Sequence, residues 1–226
     1  MKRSDRYDAS GLIEAQFEPG SGGRVLKNLR GIKSRRQMNE LETQAYGHAI
    51  RELSRLYGRT HQFTAADVCK IHQVWLGHIY AWAGQFRGVN LTKGNFTFAA
   101  APHIRQLMEE FGKGPLTRYT PCGGGSKALT ARALAIVHAE LVLIHPFRDG
   151  NGRGARLLAT LMALQAGLSV LDFGGIERGK KRLAYFGAVQ AAVGKNYRPM
   201  EQVFSDVIDR TLKGRGRSAS SLGEGP

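Results

Sequence analysis

The spacing of apolar positions along the chain predicts a mostly helical protein. From Met38 to Tyr57, and again after Thr64, apolar residues recur every three or four positions, which is the period of an amphipathic helix. Thr64 followed three residues later by Asp67 is typical of a helix N-terminus. The same spacing predicts the remaining helices: a short one that opens at Pro102, then residues 129–144, 153–167, 182–193 and 200–212.

The predicted helix over residues 129–144 is apolar on nearly every side. Leu134 and Val137 fall on one face and Ala133 on another. A helix without a polar face is typical of a buried position, so we expect this helix at the centre of the fold. His138 on this helix is interpreted as a hydrogen-bonded core residue rather than as a catalytic base.

Residues 80–98 predict a short β-hairpin. Apolar positions flank a turn at Lys93-Gly94-Asn95, and short glycine-containing turns commonly join antiparallel strands. Together with the helices, this predicts an all-α fold, a helical bundle that carries one small hairpin. A hairpin of this size is equally compatible with a surface feature that has no catalytic role.

The chain divides into a lead-in, one domain and a tail. Residues 1–23 carry Gly and Ser around a Pro-Gly pair and predict an irregular lead-in. Residues 24–212 hold all the predicted helices and are long enough for one well-cored domain. Residues 213–226 combine Gly and Ser with basic residues, a composition typical of a disordered tail. We interpret residues 112–126 as a loop inside the domain.

Composition limits the function classes. The formal net charge is +15, which fits nucleic acid, an acidic target, ATP or a merely solvated surface. Nucleic acid is not favoured, because no aromatic interleaving, helix-turn-helix or zinc spacing accompanies the basic clusters. No apolar run suits a membrane span or a signal peptide, and two cysteines give no disulfide framework. We therefore expect a cytoplasmic protein, with secretion as an effector as the open alternative.

The string His-Pro-Phe-Arg-Asp-Gly-Asn-Gly-Arg-Gly-Ala-Arg at residues 145–156 combines features of a phosphate site. Gly150, Asn151 and Gly152 are residue types that tolerate positive φ angles, so their successive backbone N–H groups can point inward as an anion-binding nest. The helix predicted to follow would add its own unpaired N–H groups and its dipole. A nucleotide phosphate chain is the ligand that this combination favours.

Four side chains around this nest suit nucleoside triphosphate chemistry. Arg153 and Arg156 lie one helical turn apart and can each fork onto phosphate oxygens. Asp149 offers the single carboxylate that a phosphate-bridging Mg²⁺ needs, and His145 has a side chain suited to proton abstraction near neutral pH. Each residue alone has an ordinary structural explanation, such as a helix end before Pro146. The string as a whole favours a triphosphate site.

The string resembles the signature of the Fic family in the Fic/Doc superfamily and matches it at every specified position. The resemblance implies a Fic-type helical bundle and an enzyme that transfers AMP from ATP to a Tyr, Thr or Ser hydroxyl of a target protein, releasing pyrophosphate. It implies these roles: His145 as the general base, Phe147 as an anchor of the loop in the core, Asp149 as the Mg²⁺ ligand, and Gly150, Asn151, Gly152, Arg153 and Arg156 as the nucleotide-binding residues.

The predicted hairpin resembles the flap of the same family. Such a flap lies over the active site and pairs with an extended target segment as an added strand. Lys93 and Gly94 at its tip would then bind the target. On this resemblance, residues 24–212 form the Fic domain with an N-terminal helical extension.

Other activities keep the same signature. A Doc-like protein kinase typically has lysine at the position of Gly152, which counts against that alternative. Transfer of another nucleotide or of phosphocholine would leave the signature unchanged. A basic nucleic-acid-binding protein that shares the fold is the alternative from another class.

The resemblance also raises the question of inhibition. Many family members carry a Ser/Thr-x-x-x-Glu-Gly/Asn helix whose glutamate pairs with the second signature arginine, here Arg156. Ser10 to Glu14 fails the last position of this motif, and Ser220 to Glu224 fits it but lies in the predicted tail. We interpret the second match as chance and expect a separate antitoxin-like partner, or no inhibitor of this kind.

Overall fold

The computed structural model describes the backbone of residues 11–94, 96–176 and 178–220, with side chains described as far as Gly214. The main helices are α1 (Arg35–Leu56), α2 (Ala65–Leu76), α3 (Ile104–Phe111), α4 (Thr117–Tyr119), α5 (Lys127–Ile144), α6 (Asn151–Gln165), α7 (Gly179–Ala191) and α8 (Arg198–Ser220). Shorter turns are the 3₁₀ segments Ile13–Ala15, Ala101–His103, Phe173–Ile176 and Ala192–Gly194, and the π-helical segment Gly112–Leu116. The predicted helical fold is confirmed.

Side-chain caps explain where several helices begin. Ahead of α2, the Thr64 hydroxyl accepts a hydrogen bond from the backbone N–H of Asp67 at 3.2 Å. The Asp67 carboxylate accepts one from the backbone N–H of Thr64 at 2.8 Å, which completes a reciprocal capping box. Ser126 caps α5 in the simpler way, since its hydroxyl accepts from the N–H of Leu129 at 3.3 Å.

Helix α5 lies at the centre of the fold, as its apolar sequence predicts. It packs against α3, α6, α7 and α8, and most of its residues are buried. From α6, Leu157 and Leu161 are fully enclosed, and from α8 Phe204 and Ile208 are enclosed as well. Because the ends of a buried helix are fixed by its neighbours, the residues that follow Ile144 leave α5 in a defined direction.

The predicted hairpin forms between α2 and α3. Strand β1 (Thr92–Lys93) pairs in antiparallel fashion with β2 (Phe96–Thr97), with Lys93 opposite Phe96. Gly94 in the turn has a φ of +58°, a conformation that favours glycine. The backbone N–H of Phe98 donates to the carbonyl of Leu91 at 3.1 Å and extends the pairing beyond the strands.

Two segments differ from the sequence interpretation. Residues 112–126, predicted as a loop, begin with the π-helical segment and α4, in which the Thr117 hydroxyl donates to the carbonyl of Gly112 at 2.8 Å. Helix α8 continues to Ser220, eight residues beyond its predicted end, so the predicted disordered tail begins as helix. Lys, Arg and Ala in residues 213–220 are good helix formers, and extending a helix costs less than starting one. Glu224 lies outside the described residues.

The lead-in is attached to the domain within its described part. The Glu14 carboxylate accepts from the backbone N–H of Gly88 at 2.6 Å, and the Glu14 carbonyl accepts from Nε of Arg148 at 2.8 Å. Glu14, in the incomplete inhibitory motif, therefore contacts the start of the hairpin segment and the signature loop. Cys69 and Cys122 are free thiols.

We expect Thr64→Ala to lower the free energy of unfolding by about 1 kcal/mol, because it removes the hydroxyl that caps α2. Urea denaturation followed by circular dichroism measures the change. Thr43→Ala is the matched control, since Thr43 is exposed in the middle of α1 and its hydroxyl bonds only the carbonyl of Asn39 in the same helix. Equal effects of the two substitutions would contradict a stabilising role for the cap.

Candidate active site

His145 follows the last residue of α5 in a backbone conformation that is unusual for its type. Its φ of 53° and ψ of 57° are left-handed, where a residue with a β-carbon is strained. The following Pro146 disfavours a continued helix. Nε of Arg87 donates to the His145 carbonyl at 2.7 Å, and the Arg87 backbone N–H donates to the carbonyl of Pro146 at 2.9 Å. Arg87, in the segment that precedes the hairpin, therefore holds His145 in this strained conformation.

The imidazole of His145 is arranged to accept a proton. Nδ1 lies 2.9 Å from the carbonyl of Val142, so Nδ1 carries the hydrogen and Nε2 has the free lone pair. The ring stacks on Phe98 of the hairpin segment, with centroids 3.5 Å apart. Burial above all, with the charges of Arg87 and Lys93 acting in the same direction, lowers the pKa of His145 to about 4, against opposing effects of the Val142 carbonyl and Asp149. At neutral pH this side chain is uncharged and can act as a base.

His72 on α2 fixes the signature loop, a role that the sequence analysis missed. Its Nδ1 accepts from the backbone N–H of Gly84 at 2.9 Å, and its Nε2 donates to the carbonyl of Asp149 at 3.0 Å. The ring stacks on Phe147, with centroids 3.9 Å apart. Burial lowers the pKa of His72 to about 4, in keeping with a neutral ring that has one donor and one acceptor. The one feature of the sequence that could have indicated this role is that His72 falls on the apolar, buried face of α2.

Phe147 and Asn151 close the loop from within. The Asn151 amide donates to the carbonyl of Phe147 at 2.7 Å and accepts from its backbone N–H at 2.8 Å. Phe147 is almost fully buried, which is consistent with the anchoring role implied for it. The Asn151 side chain is therefore engaged by the loop itself, and only the backbone of this residue remains to face a phosphate.

Only the first residue of the nest predicted at residues 150–152 has the expected backbone conformation. Gly150 has a φ of +81°, whereas Asn151 and Gly152 already belong to α6. The N-cap residue Gly150 has no side chain to cap this helix, so its first-turn N–H groups face the cavity that Gly150, Asn151 and Gly152 line without a side-chain acceptor among the described residues. A helix N-terminus thus takes the place of most of the expected nest.

Arg153 is paired with a buried carboxylate that sequence reasoning did not find. Its Nη1 donates to Oε2 of Glu42 on α1 at 2.6 Å, and its guanidinium lies 4.7 Å from the ring centroid of Trp75. The hydroxyl of Tyr80 donates to the other Glu42 oxygen at 2.6 Å. Glu42 is almost fully buried, where an unpaired charge would be costly, and Arg153 balances that charge. No spacing rule in the sequence connects α1 with the signature.

The candidate site is a cavity of about 690 Å³ between α6, α7 and the hairpin. The predicted site residues that line it are Lys93, Gly94, His145, Asp149, Gly150, Asn151, Gly152, Arg153 and Arg156. Of the predicted residues only Phe147 does not line it, because it lies buried beneath the loop. The structure adds Arg178, Arg182, Tyr185 and Phe186, which the sequence analysis left out of the site.

The aromatic wall of the cavity is linked to the core. Nε2 of His138 lies 2.9 Å from the Tyr185 hydroxyl, which confirms that His138 is a hydrogen-bonded core residue. Tyr197, by contrast, does not line the cavity; its hydroxyl donates to Glu140. Of the three aromatic residues on α7 and before α8, Tyr185 and Phe186 therefore face the candidate site.

The cavity suits a divalent cation only if a phosphate ligand helps to hold it. Among the described residues, no group of three or more His, Cys, Asp or Glu side chains is placed to bind a metal. Asp149 lines the cavity as a lone carboxylate, with one oxygen accepting from the N–H of Gly150 at 2.6 Å. Mg²⁺ in nucleotide sites is commonly held by one or two carboxylates together with phosphates and waters, so this donor set fits.

Fold and site together define a helical domain with a cationic cavity between a helix N-terminus and a β-hairpin. Residues 62–163 match the model of the Fic/DOC family, so this part of the chain is a domain of that family. The protein adenylyltransferase VbhT of Bartonella schoenbuchensis is 31% identical over 76% of this chain. The chain covers 35% of that relative, about a third of its length.

Solved structures share the fold. The BepC protein from Bartonella tribocorum, with bound AMPPNP, has a TM-score of 0.65 and 27% identity, covering 80% of this chain and 91% of that one. The N-terminal Fic domain of a VirB-translocated effector from Bartonella quintana, with bound ADP, has a TM-score of 0.66 and 27% identity, covering 84% and 92%. The expected Fic-type bundle is confirmed.

Membrane insertion receives no support from the helices. Within residues 11–94, 96–176 and 178–220, none of them is both long and apolar enough to span a bilayer.

We expect Gly150→Ala to destabilise the protein and Gly152→Ala to leave it as stable or slightly more stable. A β-carbon at Gly150 would lie 2.9 Å from Cζ3 of Trp75, and its positive φ alone costs about 1–2 kcal/mol for other residues. A β-carbon at Gly152 meets nothing within 4 Å, and this position is helical. Denaturant unfolding of both variants measures the difference; similar stabilities would show that the loop relaxes around Gly150.

Proposed function

We propose that this chain transfers AMP from ATP to a hydroxyl side chain of a target protein. The observation that carries the proposal is the neutral His145, whose free Nε2 belongs to a cavity that also holds Asp149, Arg156 and the N-terminus of α6. The adenylyltransferase name of its relative and the AMPPNP and ADP in related structures support the same activity.

In the proposed reaction, the target hydroxyl oxygen attacks the α-phosphorus of ATP. A bond forms between that oxygen and phosphorus, the bond from the α-phosphorus to the bridging β-phosphate oxygen breaks, and pyrophosphate leaves. The hydroxyl proton passes to Nε2 of His145. Arg153, Arg156 and the N–H groups that begin α6 hold the β- and γ-phosphates and offset their charge. When Mg²⁺ is bound at Asp149, it neutralises phosphate charge.

The hairpin is proposed to present the target. Lys93 and Gly94 line the cavity, and β1 and β2 form a two-stranded sheet, so each strand has one edge without a strand beside it in the described part of the chain. Pairing through the backbone would place a hydroxyl residue of the target beside His145. Main-chain recognition selects an extended shape more than a sequence.

Inhibition and location stay predictions. Glu14 bonds the N–H of Gly88, so it is used at the base of the hairpin, and Glu224 lies outside the described residues. A separate antitoxin-like partner that offers a carboxylate to Arg156 remains our proposal for an inhibitor. The cytoplasmic location and the need for Mg²⁺ likewise remain proposals.

The proposed activity is tested with α-labelled and γ-labelled ATP in parallel, in the presence of Mg²⁺ and a cell lysate. We expect label on protein from the α-position only, and a loss of roughly 100- to 10,000-fold for His145→Ala, because the general base is removed. His48→Ala is the control, since His48 is an exposed histidine on α1. Label from the γ-position alone would replace AMP transfer by phosphoryl transfer.

We expect the acid limb of kcat/KM for AMP transfer, which reports the free enzyme, to lie near pH 4 rather than near the ordinary histidine value of about 6.5. The base works when unprotonated, and burial keeps His145 unprotonated until the pH falls to about 4. The same lowered pKa makes the fold less stable as pH falls from about 6.5 toward 4, because the unfolded chain then binds more protons. Circular dichroism at each pH separates unfolding from titration; a limb near 6.5 in folded protein would contradict the expectation.

A further inference from the structure

The wall of the cavity opposite α6 carries cations that the signature does not include. Arg178 precedes α7 and Arg182 lies in its first turn, and both line the cavity. The guanidinium of Arg182 lies 5.6 Å from the ring centroid of Phe186, and Nζ of Lys93 lies 4.5 Å from the same centroid. One aromatic ring of α7 thus contacts both a cation of the hairpin and a cation of its own helix.

These two cations have no ion-pair partner in the described part of the chain. No carboxylate there lies within 4.0 Å of either Lys93 or Arg182. Burial lowers the pKa of Lys93, and the charges of Arg182 and Arg156 lower it as well, against an opposing effect of Asp149. Neighbouring cations repel each other, and an anion placed between them relieves the repulsion.

A solvated surface arginine is the ordinary alternative for Arg182, which is exposed. Its neighbour Lys181 shows how such a residue can lie elsewhere. Lys181 lines a separate groove between α7 and α8, together with the acidic residues Asp172, Asp206 and Asp209. The adjacent residues Lys181 and Arg182 therefore face different surroundings. Lys181 shares a groove with carboxylates, whereas Arg182 lines the candidate cavity and has no ion-pair partner among the described residues.

We propose that Arg182 of α7 and Lys93 of the hairpin bind the phosphate chain of the donor nucleotide from the side opposite α6. Arg182 supplies a fork of N–H donors, and Lys93 supplies a point charge that also acts on His145 and Asp149. The donor then contacts both the hairpin and α7. The inference rests on the proposed function in taking a nucleoside triphosphate as the ligand.

The test is calorimetric titration of the full chain with a non-hydrolysable ATP analogue and Mg²⁺ at fixed ionic strength, alongside adenosine. We expect Arg182→Ala to weaken binding of the analogue about tenfold, as for loss of one charged hydrogen bond, and to leave adenosine binding unchanged. Lys181→Ala is the matched control, because it removes the same charge from the next residue and should change analogue binding less than twofold. Arg182→Lys should fall between wild type and Arg182→Ala.

Three outcomes would overturn the proposal. Equal weakening by Arg182→Ala and Lys181→Ala would indicate a general effect of net charge. Equal weakening for the analogue and adenosine would indicate that Arg182 only supports Phe186. If the wild-type chain does not bind the analogue, a nucleoside triphosphate is not the ligand of this cavity.

Whether the chain transfers AMP is measured separately, in the labelling assay. If the wild-type chain binds the analogue with the predicted dependence on Arg182 but transfers no label, the proposed activity fails and the phosphate-binding role stands.

Discussion

The site depends above all on the buried guanidinium of Arg87. It is 2% exposed and donates to four backbone carbonyls, at 2.7 Å to His145, at 2.6 Å each to Val89 and Ala99, and at 3.5 Å to Ile144. Val89 and Ala99 flank the hairpin, so one side chain fixes both of its ends to the residue that leaves α5. Burying a cation is costly unless its hydrogen bonds are satisfied, and these carbonyls satisfy them. The hairpin and the base are consequently parts of one structure.

A second set of contacts holds the loop between His145 and α6. His72 fixes the Asp149 carbonyl, Asn151 closes the turn onto Phe147, and Gly150 passes so close to Trp75 that a β-carbon would not fit. Each contact reaches the loop from a different direction. Together with Arg87, they keep a strained His145 backbone in place through the protein's own hydrogen bonds and packing, which is the condition for a preorganised site.

The sequence predicted the elements that depend on local interactions. The capping box at Thr64, the buried α5, the hairpin turn at Gly94 and the signature all follow from residues close together in the chain. It did not predict the partners of the signature, because these are distant in sequence. Glu42 lies 111 residues from Arg153, and His72 lies 77 residues from Asp149. Such pairs become visible only when tertiary packing brings α1 and α2 against α6. Helix α8 was predicted too short, since composition outweighed helix propagation in that interpretation.

Charge links phosphate binding to the chemistry at His145. Glu42 balances Arg153, so Arg153 contributes geometry more than net positive potential. Burial lowers the pKa of His145, and the positive charges of Arg87 and Lys93 lower it as well. A polyphosphate beside Lys93 would offset that influence and raise the affinity of Nε2 for a proton, because a nearby anion favours the protonated form of histidine. By reciprocity, a protonated His145 would hold the phosphates more tightly. In the proposed reaction, the base therefore becomes stronger when the donor is bound, and the proton that it takes from the target helps to retain the departing pyrophosphate until the transfer is complete.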